Sequence, residues 1–218
     1  MTSPNDEGEQ KSKEDEGNGA LGPFRIGFLV GTGLPSLLSF GGMIKVTRYF
    51  GAGINVGLIP AMKLSLYGDA NISFQEYEIY GRLFPFGGSV CLGAGVGYAT
   101  VSGTIKNSYD ISSVQSLAPN LPNPLPVDTE GSVKTLVLTP VLGLLHTFQS
   151  GFTLGLDVGA QIPIAPSAIH NTTNVPATVP PQLVAQYVTP NDQKVHDTLD
   201  KVGRTILPTL NVRLGWLF

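Results

Sequence analysis

Side chains able to do chemistry are sparse in this chain, so each can be weighed in turn. Glu76, Glu78 and Arg82 stand at i, i+2 and i+6 in "EYEIYGR", and in an extended strand all three project from one face. Two carboxylates and a guanidinium sharing a face can line a path for ions or protons, or neutralise one another in a buried network. Arg25, Lys45, Lys63, Asp157 and Arg213 hold comparable positions in their own segments, interleaved with glycine and apolar residues. The histidines are His146, His170 and His196. "AIHNTTN" and "KVHDTLD" put His beside Thr and Asp, without the nucleophile, base and orienting acid that covalent catalysis needs. No zinc spacing, metal cluster or phosphate-binding glycine loop is present, and "GAGVGYAT" is followed by no helix that would make it a dinucleotide loop. The single cysteine, Cys91, rules out an internal disulfide. No catalytic residue, cofactor or metal site is therefore assigned, and no nucleic-acid partner is implied.

The elements that position these charges must be unusual, because only 13% of the 218 residues are charged against a typical figure of about 25%. Residues 1–23 hold Asp6, Glu7, Glu9, Glu14, Asp15 and Glu16 against Lys11 and Lys13. Setting that stretch aside leaves 11 of the 13 basic and 10 of the 16 acidic residues for everything after it. Such a composition predicts a disordered acidic tail over 1–23 and one domain over 24–218. The tail has no apolar run of the secretory kind. Twenty-seven glycines and seventeen prolines argue against an all-α fold, and no apolar run is long enough for a transmembrane helix.

Alternation with period 2 recurs eight times. The apolar faces are Phe24, Ile26, Phe28 and Val30; Phe40, Ile44 and Val46; Ile54, Val56 and Leu58; Tyr77, Ile79 and Leu83; Val90, Leu92, Val96 and Tyr98; Leu136, Leu138, Leu142 and Leu144; Phe152, Leu154, Leu156 and Val158; and Leu210, Val212, Leu214, Trp216 and Phe218. The opposite faces are rich in glycine and carry only the eight charges named above. As the outside of a water-soluble barrel that face is too bare. Turned inward it fits, with the apolar face against lipid and glycines making room for Arg, Glu and Tyr in a narrow lumen. A closed barrel also satisfies every backbone group without water.

The connections agree. "RYFGAG", "FPFGGS" and "TFQSG" are short turns at one end. At the other end the third link is about a dozen residues, the fifth runs from about Ile105 to Gly131 and the seventh from about Ala165 to Gly203. Tyr49, Phe50, Phe84, Phe86, Phe148, Phe152, Trp216, Phe218 and Phe24 gather at the short-turn end as an interfacial girdle. Pro60, Pro140, Pro163 and Pro208 fall in strands with two neighbours, so bulges or strand ends are expected there.

The terminal "LNVRLGWLF", with Leu214, Trp216 and Phe218 on one face, resembles the C-terminal signal by which outer-membrane β-barrels are recognised by their insertion machinery. The segment from Phe24 to Phe218 is similar to the small Gram-negative outer-membrane barrels. The resemblance implies an all-β, eight-stranded antiparallel transmembrane up-and-down barrel with short periplasmic turns and long extracellular loops, in contact with outer-membrane lipid. It assigns the eight charges to a polar lumen network. In the last loop, Pro181 opens a short helix through Tyr187, and Asn191–Lys201 forms another, ending at Gly203, with Val195, Leu199 and Val202 making loop contacts. The expected role is a non-enzymatic membrane anchor displaying loops to an envelope protein partner. The alternatives are a narrow pore through the charged lumen and a surface lipid-modifying enzyme.

Overall fold

The computed structural model describes residues 24–64, 69–109, 112, 123–165, 167–175, 179–184 and 188–218. The tail 1–23, with Leu117, Leu121 and Tyr187, lies outside them. Along the chain run β1 (Arg25–Leu34), β2 (Leu38–Lys45), β3 (Phe50–Leu64), β4 (Asp69–Leu83), β5 (Val90–Tyr109), β6 (Leu125–Thr147), β7 (Phe152–Pro163), β8 (Ala168–Asn174), α1 (Pro181–Leu183), α2 (Thr189–Arg204) and β9 (Leu207–Leu217). Each strand from β1 to β7 pairs antiparallel with the next, β7 pairs with β9, and β9 returns to β1. That ring has eight staves and no free edge, the condition for crossing lipid with strands. The remaining strand, β8, continues the barrel wall beyond β7 by pairing with the far half of β6.

The apolar faces point outward. Ile79 is 71% exposed, and Leu156, Val212 and Trp216 lie on the same outer surface. On β5 the outward apolar residues run from Val90 to Tyr98, then give way to Thr100, Ser102 and Thr104. At about 3.4 Å per residue that band is roughly 27 Å along the strand and about 20 Å tall after tilting, close to the height of a barrel's lipid-facing belt. The last residue is part of the wall: Phe218 N donates to Ile26 O at 2.9 Å, and Ile26 N donates to Phe218 O at 3.2 Å. Around it His146, Phe148, Phe152 and Trp216 form a chain of ring contacts with centroids 4.5, 5.8 and 6.0 Å apart. Phe84 departs from the expected girdle. It continues the inward phase of Glu78 and Arg82 and is fully buried.

The prolines act as their chemistry requires. The β3–β4 register slips by one residue between Ile59 and Met62, around Pro60. Pro163 ends β7, Pro208 is the second residue of β9, and the β6–β7 ladder skips Thr139 and Pro140. Lys63, past that slip, pairs with Asn71.

The long loops are also corrected. The third link leaves only residues 65–68 between β3 and β4. The fifth is strand at both its ends, because β5 has 20 residues and β6 has 23, paired in register from Val90↔Leu144 to Tyr109↔Leu125. The seventh contains β8 and both helices. Helix α2 begins before Asn191 and passes through Gly203 to Arg204, with Asp192 in its first turn and Lys201 and Arg204 in its last, each complementing the helix dipole.

Candidate functional site

The lumen is filled in layers by strands whose glycines yield space to long side chains. At the short-turn end Leu29, Met43, Phe84, Cys91, Leu145 and Leu217 form a buried apolar plug. Next to it sits an ion cluster. Arg82 grips Asp157 with both terminal nitrogens, Nη1 to Oδ1 at 2.8 Å and Nη2 to Oδ2 at 2.5 Å. Arg213 Nε lies 2.8 Å from the same Oδ2. Arg82 is 2% exposed and Asp157 1%, so water screens neither charge. The Tyr80 ring lies beside both guanidinium groups, its centroid 5.2 Å from that of Arg82 and 5.4 Å from that of Arg213.

This cluster exists because a neighbouring strand has no side chain. A Cβ on Gly143 would come within 2.4 Å of Asp157 Oδ1 and 2.9 Å of Cys91 Sγ. Gly95 gives room to Glu78, and Gly53 to Tyr80, in the same way. Beyond the cluster, Glu76 accepts a hydrogen bond from Gln161 Nε2, and Glu78 and Asn55 are buried beside them. The space left among these side chains is about 20 Å³, enough for about one water. A second apolar layer, Phe74, Ala99 and Val137 with Ile59 and Val101 against it, lies above. Of the eight charges expected in the lumen, Glu76, Glu78, Arg82, Asp157 and Arg213 are brought together. Arg25 and Lys45 sit apart at the short-turn mouth, and Lys63 pairs with Asn71 near the far end of β3.

A feature the alternation did not single out stands at the far end. Past the Tyr77–Tyr98–Leu136 row, β4, β5, β6 and β8 continue as a sheet whose outward face is polar. Cross-strand rows read Ser73, Ser102, Ser132 and His170, then Asn71, Thr104, Glu130 and Thr172. These residues border an open cleft of about 450 Å³. Lys134, one row nearer the apolar band, holds its ammonium 4.6 Å from the Tyr98 ring.

The inward face of the sheet's β6–β8 part is covered by α2. Leu199 and Val195 seat over Gly131, where a Cβ would approach Leu199 Cδ1 to 2.8 Å. Asn171 Nδ2 donates to Asp192 O at 3.2 Å, and Thr173 Oγ1 donates to Asp192 Oδ1. The expected contacts of Val195 and Leu199 are thus internal, while Val202 stays half-exposed beside Phe74 and Val133 at the barrel mouth. Leu125 and Val188, which fall within the expected fifth and seventh loops, are buried. The sequence signal was the alternation Val127, Thr129, Gly131, Val133, which repeats a strand pattern inside what reads as a loop.

Among the histidines, His146 Nδ1 is 2.9 Å from Ser89 Oγ at the short-turn end. Among the described residues no carboxylate pairs with that ring. His170 lies opposite Ser132 on the polar sheet, and His196 is exposed on α2.

No protein-family description and no curated protein matches this chain. Solved structures do match its fold. CarO2 of Acinetobacter baumannii has 12% identity and a TM-score of 0.50, covering 90% of this chain and 100% of its own. CarO of Acinetobacter baumannii has 12% identity and a TM-score of 0.49, covering 89% and 98%. The N-terminal beta-barrel domain of Pseudomonas aeruginosa OprF has 10% identity and a TM-score of 0.37, covering 89% and 96%. The closed eight-stave ring, its outward apolar belt and the likeness to CarO2 define the class of fold: an all-β, closed eight-stranded antiparallel barrel of the small outer-membrane type.

Proposed function

We propose that this barrel is a non-conducting anchor in the bacterial outer membrane, and that it holds the polar sheet and α2 at the outer surface for a protein partner of the envelope. The observation that carries this reading is the filled lumen. Two apolar layers enclose an ion cluster with about 20 Å³ of free space, and α2 covers the inner face of the wall above them. A hydrated ion needs a continuous polar path, and Phe84, Leu145 and Leu217 interrupt one. The part that projects from the belt is a two-layer β/α unit with its own apolar seam. It is therefore a shaped surface, suited to recognition by a partner, and its outward rows of Ser, Thr, Asn, His and Glu favour hydrogen bonding over apolar burial. Catalysis has no role in this reading.

Planar-bilayer recording tests it. The anchor reading expects no steady conductance from the purified protein. A steady current altered by Glu78→Ala or Arg82→Ala would replace it with the narrow-pore reading.

A further inference from the structure

Arg25 and Lys45 are direct cross-strand partners on β1 and β2. Counting by twos from Leu29 and Met43, both buried in the apolar plug, puts the two side chains on the inward face at the short-turn mouth. Residues so paired hold their Cβ atoms about 4.5–5.5 Å apart, and like charges directly opposite destabilise the ladder. Arg48, from the turn after β2, joins them on the wall of a cleft of about 270 Å³ that Ser89 and His146 also border. Among the described residues no acidic side chain lines this cleft, and no carboxylate lies within ion-pair distance of the three cations.

Lys45 does not relieve the repulsion by turning toward open water. Its ammonium sits 4.4 Å from the ring of Phe84, which is fully buried. The Arg48 guanidinium lies 4.7 Å from the Tyr49 ring. Rings orient these cations without cancelling their charge, whereas deeper in the lumen Asp157 neutralises Arg82 and Arg213 together. Neutral donors stand beside the cations as well. Ser89 Oγ and His146 Nδ1 are 2.9 Å apart, and whichever of them donates, one donor of the pair stays free: the serine hydroxyl if the imidazole donates, the imidazole Nε2–H if the serine does. At Gly88 a Cβ would meet no atom within 4 Å, so the backbone there is open to a ligand.

We infer that this cleft is a binding site for a phosphate group, held between Arg25 and Lys45, with Arg48 and the free donor of the Ser89–His146 pair completing its contacts. Phosphate fits the charge. A monoester carries about −1.5 to −2 at neutral pH and three strong acceptor oxygens, enough for two facing cations and a third beside them. A carboxylate brings one charge and would leave the facing pair half compensated. Soluble and lipid-borne phosphate both have access: His146 meets the Phe148 ring edge-on at 4.5 Å, so the border of the cleft reaches the aromatic girdle, which lies at headgroup level. The inference concerns the short-turn mouth and stands whether or not the polar sheet and α2 meet a partner at the opposite end.

The test uses the full chain in phosphatidylcholine nanodiscs, with the amide chemical shifts of Gly87, Gly88 and Ser89 as the readout. In one arm inorganic phosphate is titrated against sodium chloride of equal ionic strength. In the other, phosphatidic acid replaces part of the phosphatidylcholine. A saturable shift with phosphate that chloride does not reproduce supports the site with a soluble ligand; a shift with phosphatidic acid alone supports it with a lipid headgroup. Arg48→Gln, in an exposed turn, should weaken half-saturation about tenfold, the loss of a charge-assisted hydrogen bond. Arg25→Gln with Lys45→Gln should abolish the response, and Lys45→Arg should keep it. Silence in both arms would overturn the inference. So would a phosphate response that chloride matches, or one that survives both Arg48→Gln and the Arg25→Gln, Lys45→Gln double change at undiminished affinity.

Discussion

Asp157→Asn is the most informative single change in the lumen. The carboxylate serves two buried guanidinium groups at once, with contacts of 2.8 and 2.5 Å to Arg82 and 2.8 Å to Arg213. The amide keeps the volume and removes the charge, leaving two buried cations side by side around a neutral group. Breaking a buried pair by removing one partner costs about 3–5 kcal/mol, because the remaining ion is neither hydrated nor paired. Partial relief from Glu78 and Glu76, buried nearby, places the expected loss toward the lower end, about 3 kcal/mol. The assay is reversible urea unfolding of the barrel in lipid vesicles, followed by the fluorescence of Trp216, the sole tryptophan. A companion change sharpens it. Adding Arg82→Gln removes one of the opposed cations, so the double variant should be more stable than the sum of the single losses by about 0.5–3 kcal/mol. A loss under about 0.5 kcal/mol for Asp157→Asn, or strict additivity in the double, would refute the claim that the cluster is a dry, mutually dependent unit.

Other changes probe the rest of the architecture. Gly143→Ala puts a Cβ 2.4 Å from Asp157 Oδ1 and 2.9 Å from Cys91 Sγ, so the same unfolding assay should show a loss of about 1–3 kcal/mol from overpacking. Gly131→Val collides with Leu199, seen at 2.8 Å from the added Cβ, and should free α2; limited proteolysis within Thr189–Arg204 should quicken while the barrel's unfolding midpoint holds. Val212→Arg on the lipid face should cost about 2–4 kcal/mol in vesicles if Val212 sits near the bilayer midplane, whereas Ser102→Arg on the outward polar sheet should be nearly neutral.

Local periodicity made most of the wall legible. Ile79, Leu156, Val212 and Trp216 face outward as their spacing requires, because a period of two persists wherever register is unbroken. The bulge around Pro60 inserts a residue and breaks that phase between Ile59 and Met62; the proline is the warning in the sequence. Phe84 was misplaced by its closeness to a turn, although counting on by twos from Arg82 puts it inside. The β5–β6 extension reads as loop because its outward row, Thr100, Ser102 and Thr104, is polar where a membrane strand would be apolar. That polarity marks the end of the lipid belt and not the end of the strand.

The ion cluster was legible only in its members. Arg82 and Asp157 are 75 residues apart, on β4 and β7, and meet across the lumen through the stagger of the closed ring. Stagger depends on the summed register of all eight staves, which no single segment encodes. The same is true of α2, whose helical periodicity at Val195, Leu199 and Val202 was visible while its seat at Gly131 was not.

The central claim is that the apolar faces meet hydrocarbon while the ion cluster lies on the axis, and Trp216 reports on it directly. In vesicles of lipids brominated at different acyl depths, its fluorescence should be quenched most strongly by bromines near the headgroup end, as befits an outward residue in the short-turn girdle at 39% exposure. Fluorescence indifferent to bromine at every depth would contradict the account, since Trp216 would then face the barrel's interior.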